Sequence, residues 1–359
     1  MKNRKSIAIY SILIILILAL TGCGDDFYDD YDHYDDHDCY DHYDDYDDYD
    51  YYDEYYYDEC YDDDCYYEDD YEYDNHYGRH AYDDYDYEGY EIEVPENTNL
   101  KISDYPLGTC GEMKGTTLLV SIYLNDSVSS WVGGESVIDD TLKYTGIAVD
   151  WISKSASSYG CNCNFIYDWK EYSDLYYEGS VDTNMLDTID NPDYVDATGW
   201  KFIDENIDSK ALLEKYDADN IGYMFYFNTP KSNNLTSCTR NYYEDMVYPY
   251  EMCFIYMFCE DEEEAPAGIA HEILHTFGAP DLYLEDTDGE NYGVSKRLVD
   301  ELERTRSNDI MYTTYDAKKD IPYYDKITND FTEVDAYYVG IIDSCDFVSE
   351  WNLKPSQHK

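Results

Sequence analysis

Positive charge is what this chain lacks most: 23 lysines and arginines stand against 82 aspartates and glutamates. The formal net charge of −59 and pI near 4.1 exclude a nucleic-acid binder, which needs a basic footprint to meet phosphate. The same field keeps the protein soluble and makes divalent cations plausible partners. Aliphatic residues are nearly missing from positions 25 to about 91, where about thirty Asp and Glu and about twenty Tyr keep company with a single arginine, Arg79. Such a tract cannot bury enough apolar area to offset chain entropy, and its charges repel one another, so a solvated, extended stalk is expected. His33, His37, His42, His76 and His80 lie among the acids, where a polyanionic cation sink is the alternative, but their spacing matches no defined metal motif. Long apolar runs are scarce too. The one at Ile7 to Leu20 is shorter than the roughly 20 residues a membrane-spanning helix needs.

That run follows Lys2, Arg4 and Lys5, which gives it the flanks of a secretory signal. It ends in Leu20-Thr21-Gly22-Cys23, which resembles the lipobox of bacterial lipoproteins. The resemblance implies that residues 1–22 are removed and that Cys23 is acylated. The mature protein would then be extracytoplasmic, anchored to the bacterial membrane by lipid rather than by a spanning helix. Ten cysteines remain once Cys23 carries the lipid, and that compartment permits disulfides. Seven of the ten lie beyond residue 100, so at least one of those is free or bonded to the acidic tract.

Three regions result: the signal at 1–22, the Tyr/Asp-rich stalk at 23–95, and a globular domain at 96–359. Within the last, Thr117 to Leu124 reads as a strand, Thr141 to Ser158 as a helix, and Asn164 to Trp169 as a strand. Ser209 to Tyr216 reads as a short helix, with Asn220 to Asn228 and Tyr250 to Cys259 as apolar strands. Strand, helix, strand, strand, then a further helix predicts a mixed α/β (α+β) domain.

That further helix carries the chemistry. Pro266 suits a first helical turn, and Glu262, Glu263 and Glu264 before it favour the positive N-terminal end. His271 and His275 stand four apart, so both imidazoles project from one face, a turn apart. That spacing lets two ring nitrogens reach one Zn²⁺ at about 2.0–2.1 Å, with Glu272 placed as general base for the attacking water. A catalytic zinc needs a third protein ligand. Gly278 and Pro280 end the helix, and Asp281 arrives six residues after His275; Glu285 and Glu290 in the following acidic loop are its competitors.

The whole pattern, His-Glu-x-x-His-x-x-Gly-x-x-Asp, resembles the elongated motif of the metzincin clan of zinc metallopeptidases. Aspartate in the last position resembles the snapalysin-type variant, and Gly278-Ala279-Pro280-Asp281-Leu282-Tyr283 is similar to peptidases related to immune inhibitor A. The clan's second mark is a Met-containing turn beneath the metal, which Asp309-Ile310-Met311-Tyr312 fits, just after a predicted helix at Val294 to Arg304. A final helix predicted at Phe331 to Ile341, with Asp335, resembles the one that follows the Met-turn. The resemblance implies a zincin lobe: a twisted mixed sheet, an active-site helix beneath it, and a mainly helical part after Gly278. It also implies hydrolysis of peptide bonds in a protein or peptide substrate. The sequence departs from the clan where several members place an oxyanion-binding Tyr two residues after the Met; that position is Thr313, with Tyr312 and Tyr315 nearby.

Calcium is a secondary expectation. Asp286, Asp288 and Glu290 offer carboxylates, but their register fails the EF-hand loop, and a solvated acidic loop accounts for them better. A rival from another class also stands: a surface lipoprotein that binds cations or wall polymer through the acidic tract, with a non-catalytic metal site. Glu272 discriminates between them, because a structural zinc needs no neighbouring base.

Overall fold

The computed structural model describes residues 99–359, apart from 189, 243–247 and 284–291. These residues belong to one compact unit, Tyr85–Lys359. Cys23, the acidic tract, and the loop carrying Glu285, Asp286, Asp288 and Glu290 lie outside the described residues.

The architecture is mixed α/β, with a mixed sheet and seven α-helices among the described residues. In chain order these are β1 (Gly115–Asn125), α1 (Glu135–Ser158), β2 (Cys163–Ile166), β3 (Tyr176–Ser180), α2 (Pro192–Asn206), α3 (Ser209–Tyr216) and β4 (Asn220–Phe227). There follow β5 (Cys238–Arg240), β6 (Met252–Tyr256), the pair β7 (Phe258–Cys259) and β8 (Glu262–Glu263), then α4 (Pro266–Thr276), α5 (Lys296–Thr305), α6 (Glu333–Tyr338) and α7 (Asp346–Glu350). Among the described residues, no helix is long and apolar enough to cross a membrane.

The main sheet runs β2-β1-β4-β6-β5, with β3 following β2 along the same edge of β1. All neighbours are parallel except β5, which is antiparallel to β6 and forms an edge. Parallel strands covered on both faces should read as near-continuous apolar runs, and β4 is buried at all eight positions. Alternate residues divide between two cores. Leu119, Tyr123, Met224, Tyr226, Cys253 and Ile255 face the side packed by α1 and α4. Leu118, Ile122, Tyr223, Phe225, Phe254 and Tyr256 face the side packed by α2 and α3. Right-handed crossovers produce this division: the chain leaves β1 through α1 in one direction and reaches β4 through α2 and α3 in the other, so the helices fall on opposite faces.

Several elements differ from the sequence expectation. Helix α1 starts six residues early because Gly133 (φ +81°) and Gly134 break the chain there, and Asp139 and Asp140 interrupt its apolar period. Strand β2 stops at Ile166, where its register with β1 ends and β3 takes over the edge. The expected strand Tyr250 to Cys259 is divided: β6 ends at Tyr256, and Phe258–Cys259 pair instead with Glu262–Glu263. The two-residue turn between them places Glu260 (φ 48°) and Asp261 (φ 68°) in the left-handed region, as a hairpin turn of the primed type requires. Helix α6 is shorter than predicted, bounded by a capping box on Thr332 and by Gly340 (φ +80°). Strands β3 and β5 and helices α2 and α7 were not anticipated. Disulfides, which an extracytoplasmic location would permit, are not formed among the described residues, whose seven cysteines are free thiols.

Candidate metal centre

Helix α4 begins with Pro266 in its first turn and is buried along its whole length, which its apolar residues Ile269, Ile273 and Leu274 permit. The three glutamates before it do separate jobs. Glu264 curls over the first turn, accepting from the Ala265 amide at 3.0 Å and from the Ser237 hydroxyl. It lies so close that a Cβ on Gly268 would meet its Oε1 at 2.0 Å. Glu262 instead accepts from Tyr315 Oη, and Glu263 from Tyr144 Oη at 3.1 Å. Tyr315 is thereby committed to the β8 side of the domain.

The far end of α4 closes with paired bonds: Gly278 N–H donates to the His275 carbonyl at 2.8 Å and Ala279 N–H to the Leu274 carbonyl at 3.2 Å. This Schellman closure needs a left-handed residue, and Gly278 supplies it at φ +90°. The chain then doubles back and delivers Asp281 beside the two histidines.

His271, His275 and Asp281 are 5, 6 and 2% exposed, and together they form a group that can hold a metal ion. The two Nε2 atoms are 3.0 Å apart, and Asp281 Oδ1 stands 3.1 Å from one and 3.2 Å from the other. The rings are mutually perpendicular. Each ring is fixed from behind: His271 Nδ1 meets the Ile310 carbonyl at 2.9 Å and His275 Nδ1 the Ala279 carbonyl at 2.7 Å. A carbonyl can only accept, so both Nδ1 atoms carry a proton, and each Nε2, once it gives up its own proton, offers a lone pair to the same point. The loop that supplies Ile310 also accepts from the Leu282 amide at the Met311 carbonyl, 2.9 Å, so it grips both the helix and the segment bearing Asp281. Met311 is fully buried within that loop.

The electrostatics favour a cation. Asp281 Oδ1 is buried, and its polar neighbours are the two imidazole Nε2 atoms. Burial alone would raise the Asp281 carboxyl, but the two histidines outweigh it and hold the group well below the usual carboxylate range. Burial lowers His275, and the Asp281 charge more than reverses this, pushing the ring up to about 10. A buried carboxylate facing two imidazole nitrogens is a place that draws positive charge, a proton or a metal ion.

Glu272 lies next to this triangle without joining it. Its carboxylate accepts from Thr239 Oγ1 at 2.7 Å, a contact that ties α4 to the edge strand β5. Burial raises its pKa, and the charges of His271 and His275 oppose the rise. The structure therefore brings His271, His275, Asp281 and Glu272 together. Glu285 and Glu290 lie outside the described residues.

Several participants escape sequence reasoning. Thr239 sits on a three-residue strand with no periodic signal, and backbone carbonyls such as those of Ile310 and Ala279 leave no trace in residue identity. Tyr283, inside the motif, stacks nearly parallel to the His271 ring at a centroid distance of 6.4 Å. His358, the third histidine beyond residue 80, is not a donor to the metal group; its Nε2 donates to the Phe277 carbonyl at 2.9 Å and covers the end of α4. No protein-family model matches the chain, and no curated protein matches it.

Proposed function

We propose that this protein is a zinc-dependent endopeptidase of the metzincin type, displayed outside a bacterial membrane by a lipid on Cys23. One observation carries the reading: two imidazole nitrogens and a carboxylate oxygen form a triangle of 3.0–3.2 Å sides, with a fourth group, Glu272, held alongside but not in it. Tetrahedral zinc with arms of about 2.0–2.1 Å has donor separations of about 3.3 Å, close to these sides. Two nitrogens and one oxygen are also the kind of donor set zinc accepts, and three protein ligands are the number that catalytic zinc sites use. The mixed sheet, the buried helix beneath it and the Met311 loop behind His271 support the metzincin comparison.

When bound, zinc would polarise the scissile carbonyl and acidify the attacking water. The chain's own residues supply the rest. His271, His275 and Asp281 hold the ion, and the Ile310 and Ala279 carbonyls keep the rings in register. Glu272 takes up the proton of the attacking water and delivers it to the leaving amine, while the Thr239 hydroxyl fixes its carboxylate. A base beside the donor group favours catalysis over a purely structural metal.

The full chain, expressed and purified, should contain about one zinc and hydrolyse casein or a peptide library. Glu272→Gln should keep the metal and lose hydrolysis by about 10²–10⁴, the range expected for general-base work. Undiminished cleavage in that variant would assign the activity to other residues. For the anchor, the wild-type protein should enter the detergent phase on partitioning, and Cys23→Ser should remain in the aqueous phase; equal partitioning would reject lipidation.

A further inference from the structure

Behind the metal group lie two buried carboxyls that the proposed reaction does not use. Asp309 is 0% exposed and stands one residue before Ile310, whose carbonyl fixes His271. Asp335 is 1% exposed and belongs to the first turn of α6. Both converge on Thr332. Its hydroxyl donates to Asp309 Oδ2 at 2.8 Å, and its amide donates to Asp335 Oδ2 at 2.7 Å.

Their other oxygens differ. Asp309 Oδ1 accepts from the Met311 amide at 2.9 Å, so both of its oxygens receive a donor, as a carboxylate wants. Asp335 Oδ1 is buried and meets no donor among the described residues. Among the described residues the cation acting on the pair is Arg306, which opposes the rise of both carboxyls but is engaged by both its terminal nitrogens with Glu333. The remaining groups facing the pair are Asp330 on the neighbouring segment, Glu333 on α6 and Tyr159 at the end of α1, and none of these brings positive charge.

We infer that Asp309 and Asp335 share a single proton, carried on Asp335, and that this acid pair positions the metal-site loop against helix α6. Asp309 is then the charged member, stitching Met311 and Thr332 together, and Asp335 is the neutral member that lets the charge be buried. The direction of the titrations agrees. Burial pushes Asp309 up to about 6, and burial together with the Asp309 charge pushes Asp335 well above the usual range. Asp335 is thus a positioning residue: it acts on the metal group through Asp309 and the Ile310 carbonyl.

The sign of the linkage follows. A carboxyl whose folded pKa is raised holds a proton that the unfolded chain has already released. Its contribution to stability is complete below the ordinary carboxyl range and is lost as pH rises toward the folded pKa. One such proton makes the folding constant fall tenfold per pH unit within that window.

The test uses the full chain with chelator present, so that the pair is read without reliance on the zinc proposal. Urea unfolding at pH 5 to 8 is compared between wild type and Asp335→Asn, in which a neutral amide replaces the protonated carboxyl. Relative to the variant, the wild-type folding constant should fall by about tenfold per pH unit, and the variant should be no less stable at pH 7. Asp309→Asn should be clearly less stable than Asp335→Asn, because it loses an acceptor that Met311 and Thr332 both need. Parallel pH curves for wild type and Asp335→Asn, or equal losses in the two variants, would overturn the proposal. Should Asp335→Asn fail to fold, carbon-13 NMR of aspartate-labelled wild-type protein decides: one aspartate carboxyl should remain protonated at pH 7, and none doing so refutes the pair.

The effect on the metal group rests on the zinc reading and is measured separately. Asp309→Asn should weaken zinc binding, and by more than Asp335→Asn, whose amide keeps that position neutral. Failure to bind zinc in wild type would dispose of that reading while leaving the stability result intact.

Discussion

Asp196 and Asp281 are both buried aspartates, one on each side of strand β5, and they meet burial differently. Asp196, on helix α2, has Arg240 Nε 2.9 Å away. Its charge is answered from within the chain, although burial still outweighs the arginine and leaves the carboxyl at about 6. Asp281 has no lysine or arginine partner among the described residues, only the two imidazoles, of which its charge raises the His275 ring to about 10. An arginine is a permanent cation and closes its pair, whereas a ring proton can be exchanged for a metal ion. The contrast separates a structural charge from a candidate ligand. Strand β5 touches both: Arg240 on one face reaches Asp196, and Thr239 on the other reaches Glu272.

The contrast can be tested at each aspartate, and the larger effect is expected at Asp281. Asp281→Ala should abolish stoichiometric zinc, since two protein ligands rarely hold it. Chelated wild-type protein should show the His275 titration instead. The folded pKa is raised from 6.5 to about 10, so this group's stabilisation is complete below about 6.5 and is lost as pH climbs through 10. Zinc competes with that proton, so its affinity should rise with pH over the same range and its binding should release protons. Thermal melts between pH 6 and 10, with and without chelator, would show the two opposite trends. In Asp281→Ala the falling limb should disappear, because the charge that raises His275 is gone; its persistence would mean that another group supports the ring.

At Asp196 the expected change is in stability alone. Arg240→Ala leaves a buried carboxylate without its cation, at a cost of about 3 kcal/mol, the low end for a broken buried pair because Arg240 is partly exposed. Urea unfolding measures this, and zinc content should stay at the wild-type level. A variant that folds but loses zinc would show that the two sites are coupled through β5, and the distinction between them would collapse.

The long apolar strands β1 and β4 and helices α3 and α4 were legible because burial on both faces, or a clear 3.6-residue period, leaves a mark in composition. Helix α2 was not, since its apolar positions Val195, Trp200 and Ile203 are spread among acids, although Asn191-Pro192 and the spacing of those three residues were signals available to find it. Strands β3 and β5 are short and exist through pairing with distant partners, which residue identity does not encode. At the candidate metal centre, the donors were legible because they lie within eleven residues at spacings that helix geometry and a glycine stop make meaningful. The groups that hold those donors were not: a threonine hydroxyl 33 residues away and a carbonyl 39 residues away reach the site only once the domain has folded.

That difference in separation has a bearing on how the ion and the fold depend on each other. All three donors travel on one short segment, so an unfolded chain still presents them together and can compete for the same ion. Binding to both states reduces what the ion contributes to folding, and only the excess affinity of the native state counts. The distant carbonyl at Ile310, which stops the His271 ring from turning, contributes to that excess, whereas the Ala279 carbonyl that fixes His275 lies on the same short segment as the donors. Residence of an ion held here would then depend on how often residues 306–313 swing away from α4, a local opening that can be far more frequent than unfolding of the whole domain.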